Sequence, residues 1–143
     1  MTRHALPALA AALLLLAAAG CATNPVTGKT DLAFMSVEQE KKIGQQMHVR
    51  ITQVMGVYED ARLQEYVQAL GEKLAKQSHR PELDWKFTIV DTDDVNAFAT
   101  PGGFVYVSRG LLPYLSSEAE LAAVLGHEIG HITARHAVQR QSQ

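Results

Sequence analysis

Cysteine occurs once in the 143 residues, at Cys21, so no internal disulfide can form and the fold must rest on its core. There is no basic tract and no basic stripe interleaved with aromatics. With a formal net charge of −2 the chain lacks the footprint of a polyanion binder, which excludes a nucleic-acid partner. No internal repeat or low-complexity tract is present. The longest apolar run, Ala5 to Ala19, is too short to span a bilayer. What is there is ordinary for one globular domain: 47% apolar and 20% charged residues.

Arg3 and His4 precede the apolar run and small residues end it, as in a secretory signal. The following AAGC, Ala18 to Cys21, resembles the bacterial lipobox, whose processing leaves a diacylated N-terminal cysteine. Ala18 departs from the commoner leucine. Ala22 after the cysteine, rather than aspartate, points to the outer membrane. We therefore expect residues 1–20 to be a lipoprotein signal peptide and Cys21 the lipidation site of a periplasm-facing bacterial outer-membrane lipoprotein. Residues 21–35 are then a lipid-anchored linker, because Ala22 to Leu32 is rich in Thr, Asn, Pro and Gly without periodicity. Roughly 120 residues remain, enough for one modest core.

The domain starts at Ser36, which with Gln39 fits a capping box. Val37, Ile43, Met47, Ile51, Val54 and Met55 then recur at helical spacing until Gly56. A second helix follows Asp60, with Leu63, Tyr66, Val67, Leu70 and Leu74 as its apolar stripe. Trp85, Phe87 and Ile89 alternate with Lys86 and Thr88, which predicts a half-buried strand. Val95 to Ala99 and Phe104 to Ser108 flank Pro101-Gly102-Gly103 and predict a hairpin.

Ser117 and Glu120 form a second capping box, so the last helix is expected from there to about Gln139. With His127 at zero and about 100° per residue, Leu121, Leu125, Ile129 and Ile132 make a bulky flank. Ala119, Ala122, Ala123, Gly126, Gly130, Thr133 and Ala137 make a small flank that would let another backbone approach closely. The remaining sector holds His127, His131 and Glu128. Such a helix, apolar nearly all round, is expected to be buried, where imidazoles and a carboxylate need satisfying. A shared cation would do so. Histidines at i and i+4 project from one face about one turn apart and suit Zn²⁺. Glu128, rotated beside the ion, is placed to accept a proton from water and pass it to a leaving amine. This is H-E-x-x-H, which arises by chance in about 1–2% of chains of this composition and reads mechanically as a zinc-dependent peptidase. His136 lies across the helix from His127 and is read as a helix-end residue; His48 and His79 are expected at surface or helix-terminal positions.

These motifs resemble the M48 family of zinc peptidases, in its Oma1-like branch of bacterial periplasmic and outer-membrane lipoproteins. The resemblance is carried by NPVTGK at Asn24 to Lys29, NAFATPGGFVYVSRGLL at Asn96 to Leu112 and ELAAVLGHEIGHITARH at Glu120 to His136. It implies an α+β, zincin-like (gluzincin) catalytic domain with N-terminal helices, a short β-hairpin in a mixed sheet and an active-site helix carrying His127, Glu128 and His131. It implies one Zn²⁺ per site, protein or peptide substrates, and Asn96, Ala97, Phe98 and Ala99 pairing with an extended substrate. The family's third ligand is a glutamate on a downstream helix, so residues 36–143 are expected to be the N-terminal part of the peptidase domain, inactive alone. The expected function is cleavage of misfolded or misassembled envelope proteins. The alternative is a catalytically incomplete envelope lipoprotein acting as a binding or chaperone-like module.

Overall fold

A computed structural model of the chain describes residues 22–23, 30–31 and 35–135. The signal segment, Cys21 and His136 lie outside the described residues. Within the expected linker, β1 (Ala22–Thr23) and β2 (Thr30–Asp31) pair antiparallel.

Helix α1 runs from Val37 to Met55. Its capping box forms as the sequence predicts, with Gln39 N–H donating to Ser36 Oγ at 3.2 Å and Ser36 N–H donating to Gln39 Oε1 at 2.8 Å. Gly56, at φ 73, ends it in a conformation that favours glycine. Helix α2, Ala61–Ala75, is capped by Asp60, whose Oδ1 accepts from Leu63 N–H at 3.0 Å.

Three strands follow: β3 (Lys86–Val90), β4 (Ala97–Thr100) and β5 (Phe104–Ser108). The expected hairpin is β4–β5, antiparallel, with Phe98 opposite Tyr106. Val95 and Asn96 fall before it rather than within it. β3 pairs parallel with β5, so the sheet order is β3-β5-β4 and β5 is central. A 3₁₀ helix, Arg109–Tyr114, then leads to α3, Glu118–Thr133.

Period-2 alternation sorts the strand side chains onto two faces. Phe87, Ile89, Val105, Val107, Ala97 and Ala99 face α2 and α3, packing with Val67, Leu121, Leu125, Ile129 and Ile132. Val90, Phe104, Tyr106 and Phe98 face α1, packing with Ile51 and Met55. Both faces are therefore covered, and Thr88, expected at a solvated face, is 5% exposed. The half-buried reading of β3 fails because α1 folds back over the second face.

His48 takes part in that second layer instead of lying at a surface or helix end. It stacks on Phe104 with ring centroids 5.1 Å apart, and its Nδ1 lies 3.0 Å from the Tyr106 hydroxyl. Close backbone approach seats α1 on the hairpin turn: a Cβ on Gly44 would lie 1.9 Å from the Pro101 carbonyl oxygen. His79 is exposed, as expected.

Candidate metal centre

Helix α3 begins where the sequence places it, with Ser117 Oγ accepting from Glu120 N–H at 3.3 Å. The return arm of the capping box is displaced by one residue, since Glu120 Oε2 accepts from Ser116 N–H. The end differs. The helix stops at Thr133, short of the expected Gln139, and Arg135 takes a left-handed conformation at φ 55. A residue in that region terminates a helix.

Leu121, Leu125, Ile129 and Ile132 anchor α3 to the sheet and α2. The opposite flank corrects the expectation of burial all round: Ala119, Ala123, Gly126, His127 and Gly130 are exposed. A Cβ added at Gly126 or Gly130 would meet nothing within 4 Å among the described residues. Alanine and glycine count as apolar in a sequence pattern, but they bury only where something packs on them. Of the three titratable side chains only Glu128 is buried, at 8% exposure, while His131 is intermediate and His127 exposed. The desolvation argument made from the sequence thus applies to the carboxylate rather than to the imidazoles.

The imidazoles nevertheless converge. His127 Nε2 and His131 Nε2 are 3.0 Å apart, with the rings edge to face at a centroid distance of 4.5 Å. Two nitrogens about 2.0–2.1 Å from one tetrahedral ion lie about 3.3–3.4 Å apart, so the observed separation fits a shared cation after a shift of a few tenths of an ångström. One ligand atom each from His127, Glu128 and His131 fall within 4.8 Å of one another, and these three are the cluster of His, Cys, Asp and Glu suited to a metal among the described residues. Two imidazoles are donors that zinc accepts, and the Glu128 carboxylate stands beside them.

The candidate substrate segment, Asn96 to Ala99, lies on β4 and its approach, and α3 packs on β4. Ser108 N–H donates to the Asn96 carbonyl at 3.0 Å, which makes Asn96 and Ser108 a hydrogen-bonded antiparallel pair. By the alternation of antiparallel ladders, Phe98–Tyr106 is another such pair, while Ala97 and Ala99 turn their N–H and C=O groups away from β5. Those groups form an edge with no partner strand among the described residues. The Phe98 side chain points to the other layer, stacked on Tyr106 at 4.8 Å, so of the expected substrate segment it does not share the face of α3.

The sequence reading missed what prepares this edge. Ser108, 1% exposed, accepts from Asn96 N–H at 3.1 Å and from Leu111 N–H at 3.2 Å. Its single hydroxyl proton faces the Asp94 and Asn96 carbonyls at 2.5 and 2.8 Å. Arg109 holds the same loop through Asp91 at 2.5 Å and Asp93 at 2.7 Å, pairings that push its guanidinium pKa up. The opposite edge of the sheet is closed. Gln64 Oε1 accepts from Ile89 N–H at 3.0 Å and Gln68 Oε1 from Phe87 N–H at 2.8 Å. Their amide groups donate to the Ile89 carbonyl at 2.9 Å and the Trp85 carbonyl at 3.0 Å. Two glutamines one turn apart on α2 thus act as a surrogate strand, and their i, i+4 spacing beside the apolar stripe was the readable signal. A groove of about 950 Å³ runs along this closed edge, lined by His48, Gln64, Gln68, Trp85 and Lys86 among others, and includes none of the metal cluster.

Known proteins resemble this chain. The model of peptidase family M48 matches residues 61–143. The chain is 34% identical over 112 residues to the beta-barrel assembly-enhancing protease of Yersinia pestis, covering 78% of this chain and 23% of that protein. It is 31% identical over 114 residues to the protein of the same name from Escherichia coli strain K12, covering 80% and 23%. Against the mitochondrial metalloendopeptidase OMA1 of Schizosaccharomyces pombe it is 31% identical over 122 residues, covering 81% and 35%. The chain therefore spans about a quarter to a third of the length of these relatives.

Proposed function

Because the chain belongs to peptidase family M48, we propose that it carries the metal helix and the substrate edge of a zinc-dependent endopeptidase of the bacterial cell envelope. In this reading the fold is the zincin type, His127 and His131 hold one Zn²⁺, and Glu128 is the general base and acid. The observation that supports it is the convergence of the two imidazole nitrogens to 3.0 Å beside a buried carboxylate, on a helix anchored in the core.

When bound, the ion supplies Lewis acidity toward a peptide carbonyl and toward water. Glu128 accepts a proton from the attacking water and delivers it to the leaving amine, two transfers that one carboxylate performs in turn. Ala97 and Ala99 offer outward N–H and C=O groups to an extended peptide, which adds to the sheet as a fourth strand. Ser108 and Arg109 hold the loop entering that edge, so the strand is ordered before substrate arrives. A catalytic zinc takes three protein ligands. His127 and His131 are two; the resemblance implies a third from a glutamate downstream of H-E-x-x-H, and residues 129–143 contain no glutamate.

The location and substrates belong to the same proposal. The bacterial relatives' names, beta-barrel assembly-enhancing protease, support an envelope location, and AAGC supports lipidation of Cys21. Misfolded or misassembled envelope proteins are the corresponding substrate class. Replacing Glu128 by glutamine in the full-length protein tests the central role. Cleavage of an unfolded protein substrate should fall by about 10²–10⁴-fold while metal content stays unchanged; undiminished cleavage removes Glu128 from the reaction.

A second reading, a binding module that does not cut, is favoured by the open flank of α3 at Gly126 and Gly130 and by the free β4 edge. Peptide binding that is indifferent to chelators, with no cleavage by the full-length protein, would select it.

A further inference from the structure

Glu40 lies in the first turn of α1 with 1% of its surface exposed, and its carboxylate joins three distant parts of the chain. Oε1 accepts from Arg80 Nη1 at 2.8 Å and from Gly102 N–H, in the β4–β5 turn, at 3.5 Å. Oε2 lies 3.4 Å from Nη2 of Arg135, just past the end of α3 and one turn beyond His131. The same Arg135 nitrogen donates to the Met35 carbonyl at 2.9 Å. One carboxylate therefore links the metal helix to the hairpin that carries the candidate substrate edge.

The arrangement is not one that stability alone selects. Arg135 is 5% exposed and held at φ 55, a region non-glycine side chains rarely adopt. Glu40 Oε2 and Arg135 Nε are buried without a hydrogen-bond partner among the described residues. Two buried guanidiniums share one buried carboxylate, with exposed Glu82 3.4 Å from Arg80 Nε. An apolar cluster of the same volume would hold the elements together at least as well. Backbone strain and unmatched polar atoms of this kind gather where geometry has to be fixed. The contacts around Glu40 are also stiff. A Cβ on Gly102 (φ 86) would lie 2.9 Å from Lys41 Cα, so the turn and α1 touch backbone to backbone.

We propose that Glu40 and Arg135 are a positioning pair, which fixes the last turn of α3, and with it the direction of the His131 ring, relative to the β4 edge. The inference rests on the metal reading above. It makes metal binding and the order of the hairpin two readouts of one coupling, and coupling of this kind is reciprocal.

The test is a Co²⁺ titration of the whole chain, followed by absorbance, on the unaltered protein and on Arg135→Met and Arg135→Lys, each checked for native far-UV circular dichroism. Arg135→Met should bind Co²⁺ at least about tenfold more weakly, the range seen when groups that orient metal ligands are removed, and lysine should restore affinity to within about threefold. Folded Arg135→Met that binds as tightly as the unaltered chain overturns the proposal. Should Arg135→Met fail to fold, hydrogen exchange on the unaltered chain decides: Zn²⁺ should slow exchange of the Gly102 amide and of the β4–β5 ladder. A hairpin indifferent to bound metal again overturns it. No Co²⁺ binding by the unaltered chain would remove the metal reading and this inference with it, whereas binding without coupling removes the inference alone.

Discussion

Replacing Gln64 by alanine removes three hydrogen bonds at once: from Ile89 N–H at 3.0 Å, to the Ile89 carbonyl at 2.9 Å and to the Tyr58 carbonyl at 3.1 Å. The losses are unequal. The Ile89 carbonyl keeps the Tyr58 N–H at 3.0 Å, but the Ile89 N–H, on a residue with 0% exposure, is left at the sheet edge without a protein acceptor. A lost bond costs about 1 kcal/mol net and an orphaned buried donor about 1–3 kcal/mol, so the substitution should cost about 2–3 kcal/mol. In urea, with a slope of about 1–3 kcal/mol/M for a small protein, the midpoint should fall by about 0.7–3 M. Gln64→Glu is the sharper variant. It keeps the acceptor for Ile89 N–H but turns an oxygen toward two carbonyls, so at neutral pH it should destabilise about as much as alanine. A midpoint for Gln64→Ala within about 0.3 M of the unaltered protein would refute the claim that this side chain stands in for a strand.

The register of that open edge is testable with proline. Ala99→Pro removes only an outward N–H and should leave the fold within about 1 kcal/mol of wild type while abolishing peptide binding. Phe98→Pro removes a ladder bond to Tyr106 and should cost about 2–4 kcal/mol; equal costs in thermal melts would mean the register is wrong. Truncation of Leu125, 0% exposed, to alanine should cost about 2–5 kcal/mol in urea unfolding, because Leu125 belongs to the bulky flank that anchors α3 in the core. A cost below 1 kcal/mol would contradict that account. Burial, and secondarily Lys86, hold the His48 imidazole below its ordinary 6.5. The unfolded chain therefore takes up the proton first, so stability is full above about pH 6.5 and falls as pH drops through the lowered folded value. His48→Phe should flatten the thermal-melt profile between about pH 7 and 5, and an unchanged slope would show that His48 is not the group responsible.

Helices and hairpin were legible because each is declared locally. Ser36 with Gln39, Asp60 and Ser117 mark starts that the backbone obeys, and Pro101-Gly102-Gly103 marks the turn. The convergence of His127 and His131 was legible for the same reason, since their i, i+4 spacing is a property of one helix. What the sequence hid was relational. Thr88 and His48 read as surface residues until α1 lies across them, and nothing in either residue's neighbours announces that covering. The small flank of α3 read as buried because alanine and glycine score as apolar, whereas in the fold nothing packs on Gly126 or Gly130. The union of Glu40, Arg80 and Arg135 brings together positions 40 to 95 residues apart in the chain, and a lone buried charge pattern has no local signature. The end of α3 was missed likewise. Arg135 is no helix breaker by type, and its left-handed turn accompanies a guanidinium bond to the Met35 carbonyl 100 residues away.

The central claim, that His127 and His131 share one ion, is tested most directly by titrating Zn²⁺ into the chain while following its imidazole ¹⁵N resonances. Both His127 and His131 should shift together over the same range of added metal, with His79 unmoved. Shifts in only one of the two, or two different midpoints, would contradict it.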